Sequence, residues 1–240
     1  MKSIQAVKIE KIVFKGLGLA HSNNETLFVQ QTIPGDILDV NIINQKKNSI
    51  LAEPKKFHQK SKYKSKAKCE VFGKCGGCDW LDVEYHHQLK LKRDMLVDLF
   101  SDIVDESAIS EVIPSPQRTN YRNKVFQPVQ KIDGKIEIGM FEKRSHKVIQ
   151  HRNCYLQPDF FDKVFADVKE YLIKSNAKIY DEKNHQGNVR HLGIRNSKNN
   201  NEFILIIVTK NRKLAFTKQL VKSMTEKYPN LVGIVQNINS

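Results

Sequence analysis

Three of the chain's four cysteines crowd into KCEVFGKCGGCDW at residues 68–80: Cys69, Cys75 and Cys78, with Cys154 far downstream. No other feature restricts the fold as strongly, because sulfurs spaced this way have few uses except to converge on one centre. Gly76 and Gly77 let the backbone curl so that neighbouring thiols face the same point. Four thiolates suit zinc or an iron–sulfur cluster. Structural zinc more often takes two close pairs, whereas three close sulfurs plus a remote one are more usual for a cubane cluster. Either centre would tie residues 69–78 to residue 154 and turn binding energy into folding energy.

The chain has 240 residues, enough for one large domain or two smaller ones with a buried core. Its formal net charge of +14 attracts polyanions, nucleic acid first. No apolar run approaches the length of a membrane span. The start, MKSIQAVKIEKI, alternates and lacks the apolar segment of a signal peptide, so it reads as a first strand. The expected location is the cytoplasm, where thiols stay reduced and cysteines serve metals or catalysis rather than disulfides.

Residues 4–53 read as four or five short strands separated by turn chemistry, which predicts a small closed barrel. Residues 55–68, KKFHQKSKYKSKAK, hold seven lysines and no acid. That run reads as a solvated linker or, because Phe57 and Tyr63 interleave the lysines, as a contact for nucleic acid. A helix is predicted over 83–100, capped by Asp82 and with an apolar stripe of Leu89, Met95, Leu96, Leu99 and Phe100. His86 and His87 point to different helix faces, so they read as surface or packing residues. A hairpin is predicted around Asp133-Gly134, with Pro128 marking an edge or a bulge. An amphipathic helix is predicted at 159–174 through Phe161, Val164, Phe165, Val168 and Leu172. NVRHLGIRN and EFILIIVT read as paired strands, LAFTKQLVKSMTEKY as a helix and NLVGIVQN as a last strand. The second part is therefore α+β.

These stretches resemble the RNA uracil-5-methyltransferases, in the branch that carries an N-terminal TRAM domain and a [4Fe-4S] cluster and methylates 23S ribosomal RNA. GLGLAH, LFVQQTIPGD and AEPKK are similar to the TRAM barrel, and CEVFGKCGGCDWLDVEYHHQLKLKRDML to the cluster motif and the helix after it. YRNKVFQPV, IGMFEKRSHKVIQHRNC and RHLGIRN are similar to the central domain. The resemblance implies an all-β, OB-like TRAM barrel at 1–55 and a Lys-rich linker at 56–68. It implies an α+β central domain from 69–82 and 116–240 with a four-cysteine iron–sulfur site, and a helical segment at 83–115 packing partly on a catalytic domain. The ligands would be Cys69, Cys75, Cys78 and Cys154, around a [4Fe-4S] cluster or, alternatively, zinc.

The family's third part is a Rossmann-like methyltransferase domain that binds S-adenosylmethionine, and it is expected to be missing here. The only Gly-x-Gly, at residues 16–18, leads into a strand rather than a helix, and no cysteine follows Cys154. The chain is therefore expected to be the RNA-binding and targeting fragment of a 23S rRNA uracil-C5 methyltransferase, inactive alone. S-adenosylmethionine would be bound by the full-length enzyme only. The alternative is a stand-alone, non-enzymatic RNA-binding protein with a structural metal site. The expected partner is 23S ribosomal RNA, with no membrane, and the full-length protein is expected to be monomeric. The residues matched to RNA contact are Arg122, Asn123, Lys124, Arg144, His146, Arg190, His191 and Arg195, whose donors suit phosphates and base edges. Trp80 is expected to pack beside the cluster.

Overall fold

The computed structural model describes residues 2–214 and 217–240. It divides into two compact units, one running up to Lys68 and resuming at Cys78–Pro116, the other comprising Cys69–Gly77 and Gln117–Ser240.

The first unit is built on six strands: β1 (Ser3–Lys8), β2 (Lys11–Val13), β3 (Leu17–Ser22), β4 (Glu25–Val29), β5 (Ile37–Lys46) and β6 (Ser49–Gln59). They lie in the order β1-β5-β6-β4-β3-β2. The two ends of this sheet must meet, because β1 and β2 are consecutive and only Ile9 and Glu10 link them. Two extended residues cover about 7 Å, little more than one strand spacing. Ile9 N–H donates to Asp36 O on the β5 side and Glu10 N–H to Leu19 O on the β3 side, so the link closes the barrel. Alternate residues such as Leu38 and Val40 of β5, and Ile50 and Ala52 of β6, fill its core. Gly18 is required there: a Cβ would lie 2.2 Å from Thr32 Oγ1. The expected barrel is present, with one strand more than the upper expectation and with β6 running into the lysine-rich run.

Helix α1 (Tyr85–Phe100) belongs to this unit and packs on it through Leu91, which joins Ile12, Ile33 and Val83 in a small core. Its buried face is His87 and Leu91, with Met95 packed partly against the same core. The expected stripe is not the buried one: Leu96, Leu99 and Phe100 are exposed. His87 takes the inner position because its ring stacks on Tyr63 at 3.7 Å. The N-cap is Glu84, without a side-chain bond, rather than Asp82, whose carboxylate faces Lys64 at 3.4 Å.

The second unit is a five-stranded sheet with helices on one face. Its strands are β7 (Lys124–Ile132), β8 (Lys135–Ile138), β11 (Val189–Ser197), β12 (Glu202–Thr209) and β13 (Leu231–Ile238); between β8 and β11 come the short pair β9 (Met140–Phe141) and β10 (Val148–Ile149) and helix α2 (Asp159–Lys174). Helix α3 (Thr217–Lys227) follows β12. The order is β13-β12-β11-β7-β8, antiparallel except for β12 with β13, which the α3 crossover joins in parallel. Asp133 (φ 48°) and Gly134 (φ 80°) make the expected hairpin turn. Pro128 is not on an edge: it is the last β7 residue paired with β11, and pairing with β8 begins at Val129, so its missing N–H leaves no ladder bond unmade.

The expected face of α2 is all buried: Phe161, Val164, Phe165, Val168 and Leu172. Together with Leu220 and Met224 of α3 they cover Val125, Leu192, Ile194, Leu205 and Ile207 of the sheet. Positions 215–216, expected to begin the third helix, lie outside the described residues.

The units part at Gly77 for a local reason. Gly76 N–H donates to Phe141 O and Lys143 N–H to Lys74 O, which docks 69–77 on the end of β9. From Trp80 onward the chain bonds to the barrel unit instead: Ser65 N–H donates to Asp82 O and Glu84 N–H to Tyr63 O. Trp80 belongs there too, its indole lying against Gly16, where a Cβ would be 3.3 Å from the ring.

Candidate nucleic-acid interface

The lysine run is structural at its centre. The Lys64 side chain is 2% exposed and lies 3.1 Å from the carboxylate of Asp36, itself 0% exposed. Lys64 Nζ also donates to Gln31 O at 2.8 Å and lies 5.0 Å from the Phe57 ring centroid. Asp36 is saturated as well, accepting from Ile33 N–H and Ser61 N–H. Burial pushes the Asp82 carboxyl up despite Lys64 beside it. Tyr63, stacked on His87, and Phe57, packed on the barrel core, are committed to the fold. Lysine spacing gave no sign of this, because the two acids lie far away in sequence.

Among the described residues no group of three or more His, Cys, Asp or Glu side chains is placed to hold a metal ion, and none of the four cysteines is in a disulfide. Cys75 Sγ accepts an N–H from Gly77 at 3.4 Å. Cys154 is half-buried, and burial pushes its thiol up, opposed by the N–H groups of Leu156 and Gln157 and by Arg122. Beside it is a polar network that the sequence did not disclose. Asp162 accepts from Cys154 N–H and from Gln157, and Gln127 donates to Gln157. Burial pushes Asp162 up and His151 down, so both are drawn toward neutrality. Mass-mapped alkylation at neutral pH is expected to modify Cys154 several-fold more slowly than the other three, since the thiolate is the nucleophile. If all four resist until a chelator is added, a bound metal holds them.

The residues matched to RNA contact fall into two groups. Strand alternation puts Leu192 and Ile194 of β11, with Val125 of β7, on the face covered by helices. His191, Gly193 and Arg195 therefore share the open face, opposite Pro128, Phe126 and Lys124 respectively. Asn196 N–H donates to Asn123 O, making that pair the hydrogen-bonded one and the neighbouring Lys124–Arg195 pair the close, non-bonded one. Both cations are exposed, and among the described residues no acid pairs with either. Arg122 precedes them, its N–H donating to Leu156 O. Burial, then the Arg190 charge, pushes His191 down, so its imidazole is held neutral; Phe141 meets it edge-on at 6.4 Å.

The remaining three lie apart. Arg190 is committed to structure, donating to Asn239 O at 2.8 Å with its guanidinium 4.6 Å from the Tyr180 ring centroid. Arg144 occupies the turn between β9 and β10 with a left-handed backbone (φ 54°). His146 bonds Glu182 at 2.7 Å, and both line a cavity of about 840 Å³ with Gln130, Lys131, Lys147 and Tyr180.

Residues 2–55 match the model of the TRAM domain. An uncharacterised RNA methyltransferase of Clostridium tetani is 35% identical over 227 residues, covering 94% of this chain and 49% of the relative. Another, of Thermotoga maritima, is 29% identical over 238 residues, covering 99% and 53%. This chain is similar to these uncharacterised RNA methyltransferases along nearly its whole length. It spans about half the length of the curated relatives it matches. Among solved structures, the tRNA (uracil-54, C5)-methyltransferase of Pyrococcus abyssi, in complex with S-adenosyl-L-homocysteine, shares the fold with a TM-score of 0.72 at 20% identity, over 98% of this chain and 51% of that one.

Three expectations are overturned by these matches. The fold class was expected to be a barrel and an iron–sulfur α+β domain without a methyltransferase fold; the chain instead superposes along 98% of its length on a methyltransferase. The descriptions of a binding and targeting fragment, or of a non-enzymatic protein, and of inactivity give way for the same reason: the similarity to RNA methyltransferases runs along 94–99% of the chain. The iron–sulfur cluster and 23S specificity find no support in them. Among the described residues no helix is long and apolar enough to cross a membrane.

Proposed function

We propose that the protein is an S-adenosylmethionine-dependent RNA methyltransferase acting on C5 of a uracil. The observation that carries this reading is the similarity to RNA methyltransferases along nearly the whole chain. The TRAM match and the net charge of +14 support RNA as its partner. The candidate RNA is 23S ribosomal RNA, on the resemblance of the cysteine frame; transfer RNA, the substrate class of the solved relative, is the competitor.

C5 of uracil is a poor nucleophile, so the chemistry needs a thiolate at C6 to raise an enolate and a base to remove the C5 proton. Cys154 does not suit that role, because burial holds its proton on. The described residues also do not fit the cofactor. In the Gly-x-Gly stretch, Gly16 is packed against Trp80 and Gly18 against Thr32 and Ile9, so there is no open phosphate-type cradle. What these residues supply is a hold on RNA, through Arg122, Asn123, Lys124, His191 and Arg195.

The test is methyl transfer from labelled S-adenosylmethionine to 23S rRNA and to tRNA, each unmodified at uridine, with nucleoside mass spectrometry. The expected product is 5-methyluridine in 23S rRNA. 5-Methyluridine in tRNA alone would move the substrate, and none in either would overturn the reading.

A further inference from the structure

We propose that the open face of the β7/β11 pair is a platform for unpaired RNA, on which a base stacks over Phe126 while Lys124 and Arg195 hold the adjoining phosphate between them. This rests on the reading of the protein as one that acts on RNA. Three features of the two strands carry it.

The first is the cross-strand pair itself. Lys124 and Arg195 stand directly opposite each other at a non-hydrogen-bonded position, where side chains approach most closely. Like charges so placed repel, and among the described residues no acid relieves them. A sheet gains nothing from such a pair in the free protein, whereas a phosphate between the two cations removes the repulsion and gains charge-assisted hydrogen bonds.

The second is the next row. Gly193 in the middle of β11 weakens the strand and marks a place of close approach. Phe126 fills it: a Cβ on Gly193 would fall 2.6–3.0 Å from three atoms of the Phe126 ring. The ring therefore lies across the strand rather than standing up from it, and is half-buried. The Lys124 ammonium, 5.7 Å from the ring centroid, covers it in the free protein. A nucleobase that takes this place releases the ammonium toward the phosphate.

The third is the row after that, where neutral His191 and Pro128 lie opposite each other and Phe141 stands edge-on to the imidazole. Successive rows on one face are about 7 Å apart. Charge, ring and uncharged ring thus follow one another along a line. A duplex keeps its bases stacked and paired, so it cannot present a ring to Phe126; unpaired nucleotides can.

The experiment measures binding of the protein to a short unstructured uridine-rich RNA and to a blunt RNA duplex of equal length by fluorescence anisotropy. Wild type is compared with Phe126→Leu, Phe126→Tyr and Lys124→Gln/Arg195→Gln, each checked for an unchanged thermal transition. Leucine still fills the space over Gly193 but has no π face; its expected cost is roughly 5- to 150-fold in affinity for the single strand only, the range of one base–aromatic stack. Tyrosine is expected to retain binding. The double glutamine variant is expected to weaken both RNAs and to flatten the salt dependence by about one phosphate contact. Should the protein bind RNA but prefer the duplex, or keep single-strand affinity as Phe126→Leu, the platform is wrong while the RNA reading stands. Should wild type bind neither RNA, both fall.

Discussion

Replacing Lys64 with methionine is expected to destabilise the barrel unit by about 3–5 kcal/mol, the range found when one partner of a buried ion pair is removed. The reason is the company Lys64 keeps. It is the cation between Asp36, which is fully buried, and Asp82, whose carboxyl burial already pushes up. Methionine would leave the Asp36 carboxylate with backbone donors only and no countercharge. In thermal unfolding followed by circular dichroism, this amounts to a loss of roughly 6–20 °C. Adding Asp36→Asn should recover part of it, because the double variant no longer buries an unpaired charge. If Lys64→Met unfolds within a degree or two of wild type, the lysine is a surface charge and the run a solvated linker after all. The neighbouring exposed lysines are the control: Lys66→Met should have almost no effect on stability.

This contrast shows where sequence reading stops. Helix α2 was legible to the residue because one signal, a 3.6-residue apolar period, decides both its conformation and its buried face. Helix α1 was legible as a helix but not in its orientation. The apolar count favoured Leu96, Leu99 and Phe100, whereas the inward face is set by a histidine that stacks on a tyrosine from another segment. Lys64 looked like six other lysines because its identity depends on acids at positions 36 and 82, which spacing does not connect. The cysteine frame marks a different limit: proximity in sequence suggests convergence in space, and no metal-holding group among the described residues supports that expectation. Of the eight residues matched to RNA contact, those on β7 and β11 come together because strand pairing places them in register. Arg190 does not, because the β11 bulge between Val189 and His191 precedes the regular ladder and its guanidinium is bonded elsewhere. Phe126 escaped notice because its significance lies in what faces it, the bare backbone of Gly193.

The second large effect is expected on the other face of the same sheet. Phe161→Ala should cost about 3–5 kcal/mol, as large-to-small changes at fully buried aromatic positions do. Phe161 is 0% exposed on α2 and begins a chain of ring contacts. It meets Phe160 edge-on at 4.8 Å; Phe160 meets Phe203 of β12 at 5.2 Å, and Phe203 meets Tyr228, just beyond α3, at 6.0 Å. Tyr228 in turn bonds Asp167 of α2, so the series returns to the helix where it began. Truncating its first ring leaves a cavity that the helix cannot close without shifting the others. Chemical denaturation should show a lower midpoint with an unchanged slope if the variant folds to the same structure. The affinity of the folded fraction for single-stranded RNA should stay at the wild-type value, since Phe161 belongs to the helical layer packed on one face of the sheet and Lys124, Phe126 and Arg195 lie on the other face. Phe126→Leu is expected to do the reverse, losing affinity at nearly constant stability. A Phe161→Ala protein that remains fully folded yet binds RNA poorly would mean that the two faces are not independent, and that the hold on RNA depends on the helical layer rather than on the strands alone.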